Sequence, residues 1–285
     1  MARCQAAWGL GPRRAVAEAA AKIGMCGLAA KLVGADGSSL FPGERLEEIR
    51  AGGSLNFYRR TFLSDRNRDI VQAAARGDSA FLIRHLVAQD ATFPELFDDE
   101  RVERRSGLQR ILKALTDSPP CQVVEVGCGN AELLKRLAAL GHDVTGVDLS
   151  PLRLLRNRRT ITKLYLGLAE DLPLPDACAD VVIATELLEH VSNLEMTLRE
   201  VVRVLRSGGI FHCQVPLGGF ADGDNHVRHF NEETLRYVLE QVGFNIHSLT
   251  VIPYLCDNTP NNIYAVAGLR VLSRRAPVAS GQGMR

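Results

Sequence analysis

Glu125 and Asp148 stand 23 positions apart, each near the end of a short apolar run, Val123-Val124-Glu125-Val126 and Val144-Thr145-Gly146-Val147-Asp148. Between them, Gly127-Cys128-Gly129 reads as a turn that opens a helix. Glycine adopts backbone angles closed to other residues, so the chain can turn tightly and a ligand can approach its backbone. The helix beyond offers N–H groups and the positive end of its dipole. An acid about 20 residues past such a turn accepts hydrogen bonds from ribose hydroxyls, which suits Asp148. Glu125 would repel a pyrophosphate in a partly desolvated crevice. A sulfonium with an amino-acid tail would instead find a counter-charge there. Each carboxylate alone could equally be a cap or an ion-pair partner. Their joint spacing points to a cofactor with a ribose and a cationic portion. The dinucleotide fingerprint would need Gly or Ala where Glu132 stands, so only its first two glycines are present.

A second set of candidates lies further along. Glu186, Glu189 and His190 follow an apolar run that ends at Thr185, and His226 and His229 lie in the segment Asp222-Gly223-Asp224-Asn225-His226-Val227-Arg228-His229-Phe230. Histidine can take a proton near neutral pH, so His190, His226 and His229 are the candidate catalytic residues, each with a loop-ordering alternative. The His-x-x-His spacing invites a metal, but nothing near it in sequence completes a ligand set, and no metal is expected.

These residues need elements to hold them. Strands are expected at 121–126, 143–148, 163–166, 180–185 and 209–216, separated by helices, the alternation of a parallel sheet covered on both faces. A helix over 130–140 follows the glycine turn, and one over 194–205 should stop at Ser207-Gly208-Gly209. A helix over 232–242 precedes two consecutive strands, 245–253 and 262–272, which suggest an antiparallel hairpin closing the sheet. Residues 1–118 read as helices. Ser64 and Ser79 can cap segments to 75 and 88, and Ser106 can cap 107–115, where Leu108, Ile111, Leu112 and Leu115 form an apolar stripe. Phe57-Tyr58-Arg59-Arg60 and Phe62 read as packing or as a lid. The tail 276–285 is expected to be disordered.

The motifs EVGCGNA, GVDLSP, AEDLPLPDACADVV, LLEHV and VLRSGG together resemble the class I S-adenosylmethionine-dependent methyltransferases, closest to the ubiquinone/menaquinone-type and other small-molecule enzymes. The resemblance covers roughly 120–272. It implies an α/β fold with a Rossmann-like seven-stranded sheet, mostly parallel with an antiparallel C-terminal hairpin, over 119–275, preceded by an N-terminal helical extension or cap over 1–118. It implies S-adenosyl-L-methionine as cofactor, bound by Glu125, Gly127, Cys128, Gly129, Asp148, Leu149, Ala169, Glu170, Thr185 and Glu186, with the LLEHV segment beside the methionine portion. Two departures stand out: Ala131 where the family often has a third glycine, and Leu168 where it often has an Asp or Asn for the adenine amino group. The implied activity is methyl transfer to a small-molecule acceptor. The alternatives are a nucleic-acid or protein methyltransferase, or a non-catalytic binding protein of the same fold.

Composition bounds the rest. In 285 residues with 46% hydrophobic content, no apolar run is long enough to span a bilayer. A formal net charge of +1 provides no global attraction to nucleic acid or membrane. Base-amino methyltransferases would show Asn/Asp-Pro-Pro-aromatic where Thr185-Glu186-Leu187-Leu188 stand. The basic face Arg153, Arg156, Arg158 and Arg159 reads as a solvated helix surface. Seven cysteines without a CxxC pair fit thiols in a reducing compartment, and a cytoplasmic location is expected. The first 34 residues hold Arg3, Arg13, Arg14, Lys22 and Lys31 against the single acid Glu18, which fits an Ala-rich amphipathic helix or an organellar transit segment.

Overall fold

Short β-branched runs bounded by Gly, Pro and Asp become the buried strands of one sheet. The computed structural model describes residues 105–191, 193–218, 226–253 and 260–269. The expected helices at 64–75 and 79–88, the Phe57–Phe62 cluster, the basic start and the tail lie outside the described residues, as does 219–225 of the loop before His226. In chain order the elements are α1 (Ser106–Thr116), β1 (Gln122–Val126), α2 (Glu132–Ala139), β2 (Asp143–Asp148), α3 (Pro151–Asn157), β3 (Leu164–Leu166), β4 (Ala179–Thr185), α4 (Leu194–Val204), β5 (Leu205–Pro216), α5 (Glu232–Gln241), β6 (Phe244–Pro253) and β7 (Pro260–Leu269). They form a seven-stranded sheet in the order β3-β2-β1-β4-β5-β7-β6. The first five strands pair in parallel. Strand β7 runs antiparallel between β5 and β6. Both the Rossmann-like sheet and the closing hairpin are as expected from sequence.

Each face of the sheet carries its own apolar layer. On one, Leu108, Ile111 and Leu115 of α1 and Leu134 and Leu137 of α2 pack with Val123 and Ile183. On the other, Leu194, Leu198 and Val201 of α4 and Leu235, Val238 and Leu239 of α5 pack with Val124, Val182 and Phe211. Strands buried on both faces read as continuous hydrophobic runs, which is why β1 and β4 stand out in the sequence. Among the described residues, no helix is long and apolar enough to cross a membrane.

Three boundaries differ from expectation for identifiable reasons. Ala131 takes left-handed angles, φ 56° and ψ 27°, so helix α2 starts at Glu132 rather than Asn130. Arg105, not Ser106, occupies the N-cap of α1, and no side chain caps it. Helix α4 ends at Val204, and Ser207-Gly208-Gly209 is not its stop but part of β5. Ala179 pairs with Leu205 while Val181 pairs with Ile210, so the register shifts between them, with Gly208 at φ +79°.

Candidate active site

The sheet order reverses between β1 and β4, since β1 leads back to β2 and β3 while β4 leads on to β5. In an open parallel sheet such a switch point leaves a crevice beyond the carboxyl ends of the strands. The residues singled out in the sequence converge there from several loops.

The loop after β1 makes one wall. Gly127 and Gly129 sit at φ +74° and +50°, and Ala131 repeats the left-handed conformation. The N–H groups of Gly127 and Cys128 donate to the Val147 carbonyl at 2.8 and 3.2 Å, which ties the turn to β2. Asp148 completes the tie: Oδ2 accepts from Gly129 N at 2.8 Å and Oδ1 from Ser150 N at 2.7 Å. Ser150 in turn caps α3 by accepting from Arg153 N. Beside Asp148, Gly129 presents bare backbone, where an added Cβ would sit 3.1 Å from Arg153 Nη1. Glu125 is buried within β1, opposite Gly146 and Ile183, rather than at the strand's tip. The Cys128 thiol is buried, and that burial together with the nearby Asp148 and Glu125 carboxylates raises its pKa well above the ordinary thiol value. It is a neutral wall residue, not a nucleophile.

The loop after β3 makes a second wall. Leu168 and Ala169 are both buried, and Leu168 bridges to Asp171 as the loop folds on itself. Leu168 therefore belongs to the core. Glu170 is also buried and accepts at Oε1 from Asn193 N at 3.2 Å, joining this loop to the cap of α4. Half-buried Leu149 follows Asp148 between the two walls.

Strand β4 carries the opposite side. Thr185 is its last residue, and Glu186 follows at φ +52°, a strained angle for a side chain of this kind. Glu186 Oε1 accepts from Gln214 Nε2 at 2.8 Å and Asn262 Nδ2 at 2.5 Å. Burial pushes the Glu186 carboxyl up to about 7, against the pull of these two donors and of the Arg105 charge. Glu189 is 1% exposed, and neither of its oxygens has a hydrogen-bond partner among the described residues. Burial, then the Glu186 charge, raises its pKa well above the carboxylate range, and its own backbone N–H and then the Arg228 charge offset part of this.

The segment after the loop of β5 is strapped onto this turn. Val227 N donates to Glu189 O at 2.9 Å, and Arg228 Nη1 donates to Leu188 O at 2.6 Å. That strap brings His226 to His190, edge to face, with ring centroids 4.7 Å apart. His229 lies elsewhere, its Cβ 3.5 Å from where a Cβ on Gly218 would stand. Of the three candidate histidines, two meet. Gln214, Asn262 and Gly107 were not foreseen as site residues. Each acts through a partner far away in sequence, and only the polarity of Gln214 and Asn262 at apolar strand ends could have signalled them.

Residues 124–213 match the model of a family described as a methyltransferase domain. The chain is 35% identical over 135 residues to a demethylmenaquinone methyltransferase of Tropheryma whipplei, covering 45% of this chain and 53% of that protein. It is 29% identical over 146 residues to a malonyl-(acyl-carrier protein) O-methyltransferase of Serratia marcescens, covering 47% and 57%. The chain thus spans little more than half the length of these curated relatives. Its fold matches the crystal structure of the 1,6-didemethyltoxoflavin-N1-methyltransferase of Burkholderia thailandensis with a TM-score of 0.55 at 19% identity, over 67% of this chain and 88% of that one. With its seven-stranded sheet, glycine turn and acid-tipped second strand, the stretch around residues 124–213 is a methyltransferase domain on the fold of the class I S-adenosylmethionine-dependent methyltransferases.

Proposed function

We propose that the chain transfers a methyl group from S-adenosyl-L-methionine to a small-molecule acceptor. The observation that carries this is the Asp148 carboxylate, which ends β2 at the switch-point crevice and ties the loops on both sides of it, the place of the acid that meets a ribose in such folds. The bare backbone at Gly127, Cys128 and Gly129 lets a ligand approach closely, and Glu125 adds the negative potential that a sulfonium-bearing ligand needs. Leu149, Ala169 and Glu170 line the adenine side, and Thr185 and Glu186 the methionine side. When bound, the cofactor supplies a methyl carbon already activated by its positive sulfur.

The protein's task is then orientation and proton removal. His190 and His226 face each other on the acceptor side, and His229 stands a short way along the same strap. A neutral imidazole there can hold an acceptor N–H or O–H and take its proton. His226 and Arg228 are buried, which keeps bulk water from this side. The small-molecule class draws support from the acceptors named for the Tropheryma and Serratia relatives. Within the extension expected over 1–118, the described helix α1 packs on the sheet of the catalytic domain. We place the activity in the cytoplasm, since Cys121, Cys128, Cys178 and Cys213 are thiols rather than disulfides.

Calorimetry with S-adenosylmethionine tests the reading. The full chain should bind it, and Asp148→Ala should weaken binding by about 1.5–3 kcal/mol, the range for hydrogen bonds to a charged group. Unchanged affinity in a folded variant would remove Asp148 from the site and with it the main support for the proposal.

A further inference from the structure

We propose that Cys121 is a modification site, a thiol that His142 activates for oxidation by a small hydroperoxide. The two residues stand just before β1 and just before β2, so they meet at the amino-terminal end of the sheet, opposite the crevice. Cys121 Sγ lies 3.4 Å from His142 Nδ1, and Cys121 N donates to the same nitrogen at 3.3 Å. His142 Nε2 is 3.0 Å from Leu115 O, near the end of α1. These contacts fix the tautomer. A carbonyl only accepts, so Nε2 carries the hydrogen. A backbone N–H only donates, so Nδ1 keeps its lone pair, directed at Cys121. A nucleophile beside a base that a third group orients is the arrangement of an activated thiol.

Exposure sets this thiol apart from its buried counterparts. His142 is 5% exposed, so packing holds the ring in place, while Cys121 is half-buried and open to small molecules. Cys128 and Cys213 are closed off within the two apolar layers. Burial, then the Asp180 charge, raises the Cys121 pKa above the ordinary thiol value, so at neutral pH the resting sulfur keeps its proton. Since the thiolate is the nucleophile, a thiol held in this way needs a base within reach. His142 is that base. The sequence shows Cys121 and His142 only as isolated residues, and the pairing of β1 with β2 brings them together.

The same relay selects the oxidant. As the Cys121 S–H bond breaks, its proton passes to Nδ1 and its electron pair attacks the terminal oxygen of the hydroperoxide. The O–O bond breaks with its pair on the other oxygen. That oxygen takes the proton from Nδ1 and departs as an alcohol, or as water where the oxidant is hydrogen peroxide. Sulfur is oxidised to a sulfenic acid and the peroxide is reduced. An alkoxide or hydroxide leaves poorly without a proton, whereas the thiolate expelled from a disulfide is a weak enough base to leave alone. A base that returns its proton therefore favours hydroperoxides.

The test uses the full chain, reduced and then freed of reductant. It is treated with hydrogen peroxide in the presence of dimedone, which traps sulfenic acids, and each cysteine is followed by peptide mass spectrometry. Cys178, also half-buried, is the comparison within the same sample. Cys121 should be trapped at least about tenfold faster than Cys178, and His142→Gln should lower the Cys121 rate at least about tenfold while leaving Cys178 unchanged, a modest share of what a positioned base contributes. With iodoacetamide, whose leaving iodide needs no proton, the loss in His142→Gln should be smaller. Trapping at Cys121 no faster than at Cys178 in the parent overturns the proposal, whether or not the variant folds. So does a folded His142→Gln that reacts at the parent rate. An equal loss toward both reagents overturns the selection of hydroperoxides, because proton removal alone would then account for His142.

Discussion

Among the described glycines, Gly107 leaves the least room for a side chain. A Cβ there would fall 1.5 Å from Gln214 Oε1 and 2.7 Å from its Cδ. The same Gln214 amide donates to Glu186 at the edge of the crevice. Helix α1 can approach the sheet this closely only because position 107 carries no side chain. Gly107→Ala must push the Gln214 amide aside, which leaves Glu186 with Asn262. Overpacking of this kind costs about 1–3 kcal/mol. Shortening Gln214 should restore room, so in a double-mutant cycle Gly107→Ala with Gln214→Ala should be less destabilised than the sum of the two singles. Additive losses in denaturant melts would show that the clash is relieved elsewhere. Asp148 shows the opposite economy, with one side chain joining two loops.

Helix α5 shows how an element can serve the site without touching it. Asn231 and Thr234 form a reciprocal capping box: Asn231 Oδ1 accepts from Thr234 N at 2.8 Å, and Thr234 Oγ1 accepts from Asn231 N at 2.9 Å. Phe230, one residue earlier, accepts from Gly218 N at 2.7 Å and anchors the far end of the strap that carries His226. Asn231→Ala should cost about 1 kcal/mol, or about 2–4 °C in Tm for a protein of this size. Amide exchange should quicken at Val227 and Gly218 if the strap is loosened, and unchanged exchange there would separate the cap from the site. Elements were legible in the sequence where the signal is local. Strands β1, β2 and β4 are apolar runs with glycine or acid at their ends, and Asp148 follows from spacing to the glycine turn. The bulge at Ser207-Gly208-Gly209 was not legible, because a glycine ending a helix and a glycine bulging a strand both supply positive φ. Nor was the Ala131 conformation, since alanine gives no hint of left-handed angles. The Gln214–Glu186–Asn262 network and the meeting of His226 with His190 depend on strand pairing and on the strap, which spacing along the chain does not encode.

Across the whole molecule, the site is a place where stability has been given up for charge. Glu186 and Glu189 sit side by side beneath the strap, with Arg105 and Arg228 as the nearby cations. The consequence for pH follows from Glu186, whose carboxyl is pushed from its ordinary 4.5 up to about 7. Between those values the folded protein holds a proton that the unfolded chain has released. The Glu186 contribution to stability therefore falls as pH rises through this window and levels off above about 7, while the raised Glu189 carboxyl adds a further fall of the same sign. The loss attributable to Glu186 is of order 3 kcal/mol, since each tenfold change in proton affinity corresponds to about 1.4 kcal/mol. Glu186→Gln keeps an acceptor oxygen for Gln214 and Asn262 but does not ionise. The variant should be more stable than the parent at pH 8 and nearly equal at pH 4.5, with a shallower fall between, the part that Glu189 contributes. Chemical melts at several pH values measure this directly. A parent that is equally stable at pH 5 and pH 8, or a variant with the parent's slope, would mean that the Glu186 proton leaves near its ordinary value in the folded protein. The carboxylate would then have to be fully charged at neutral pH, held by Gln214, Asn262 and Arg105 alone.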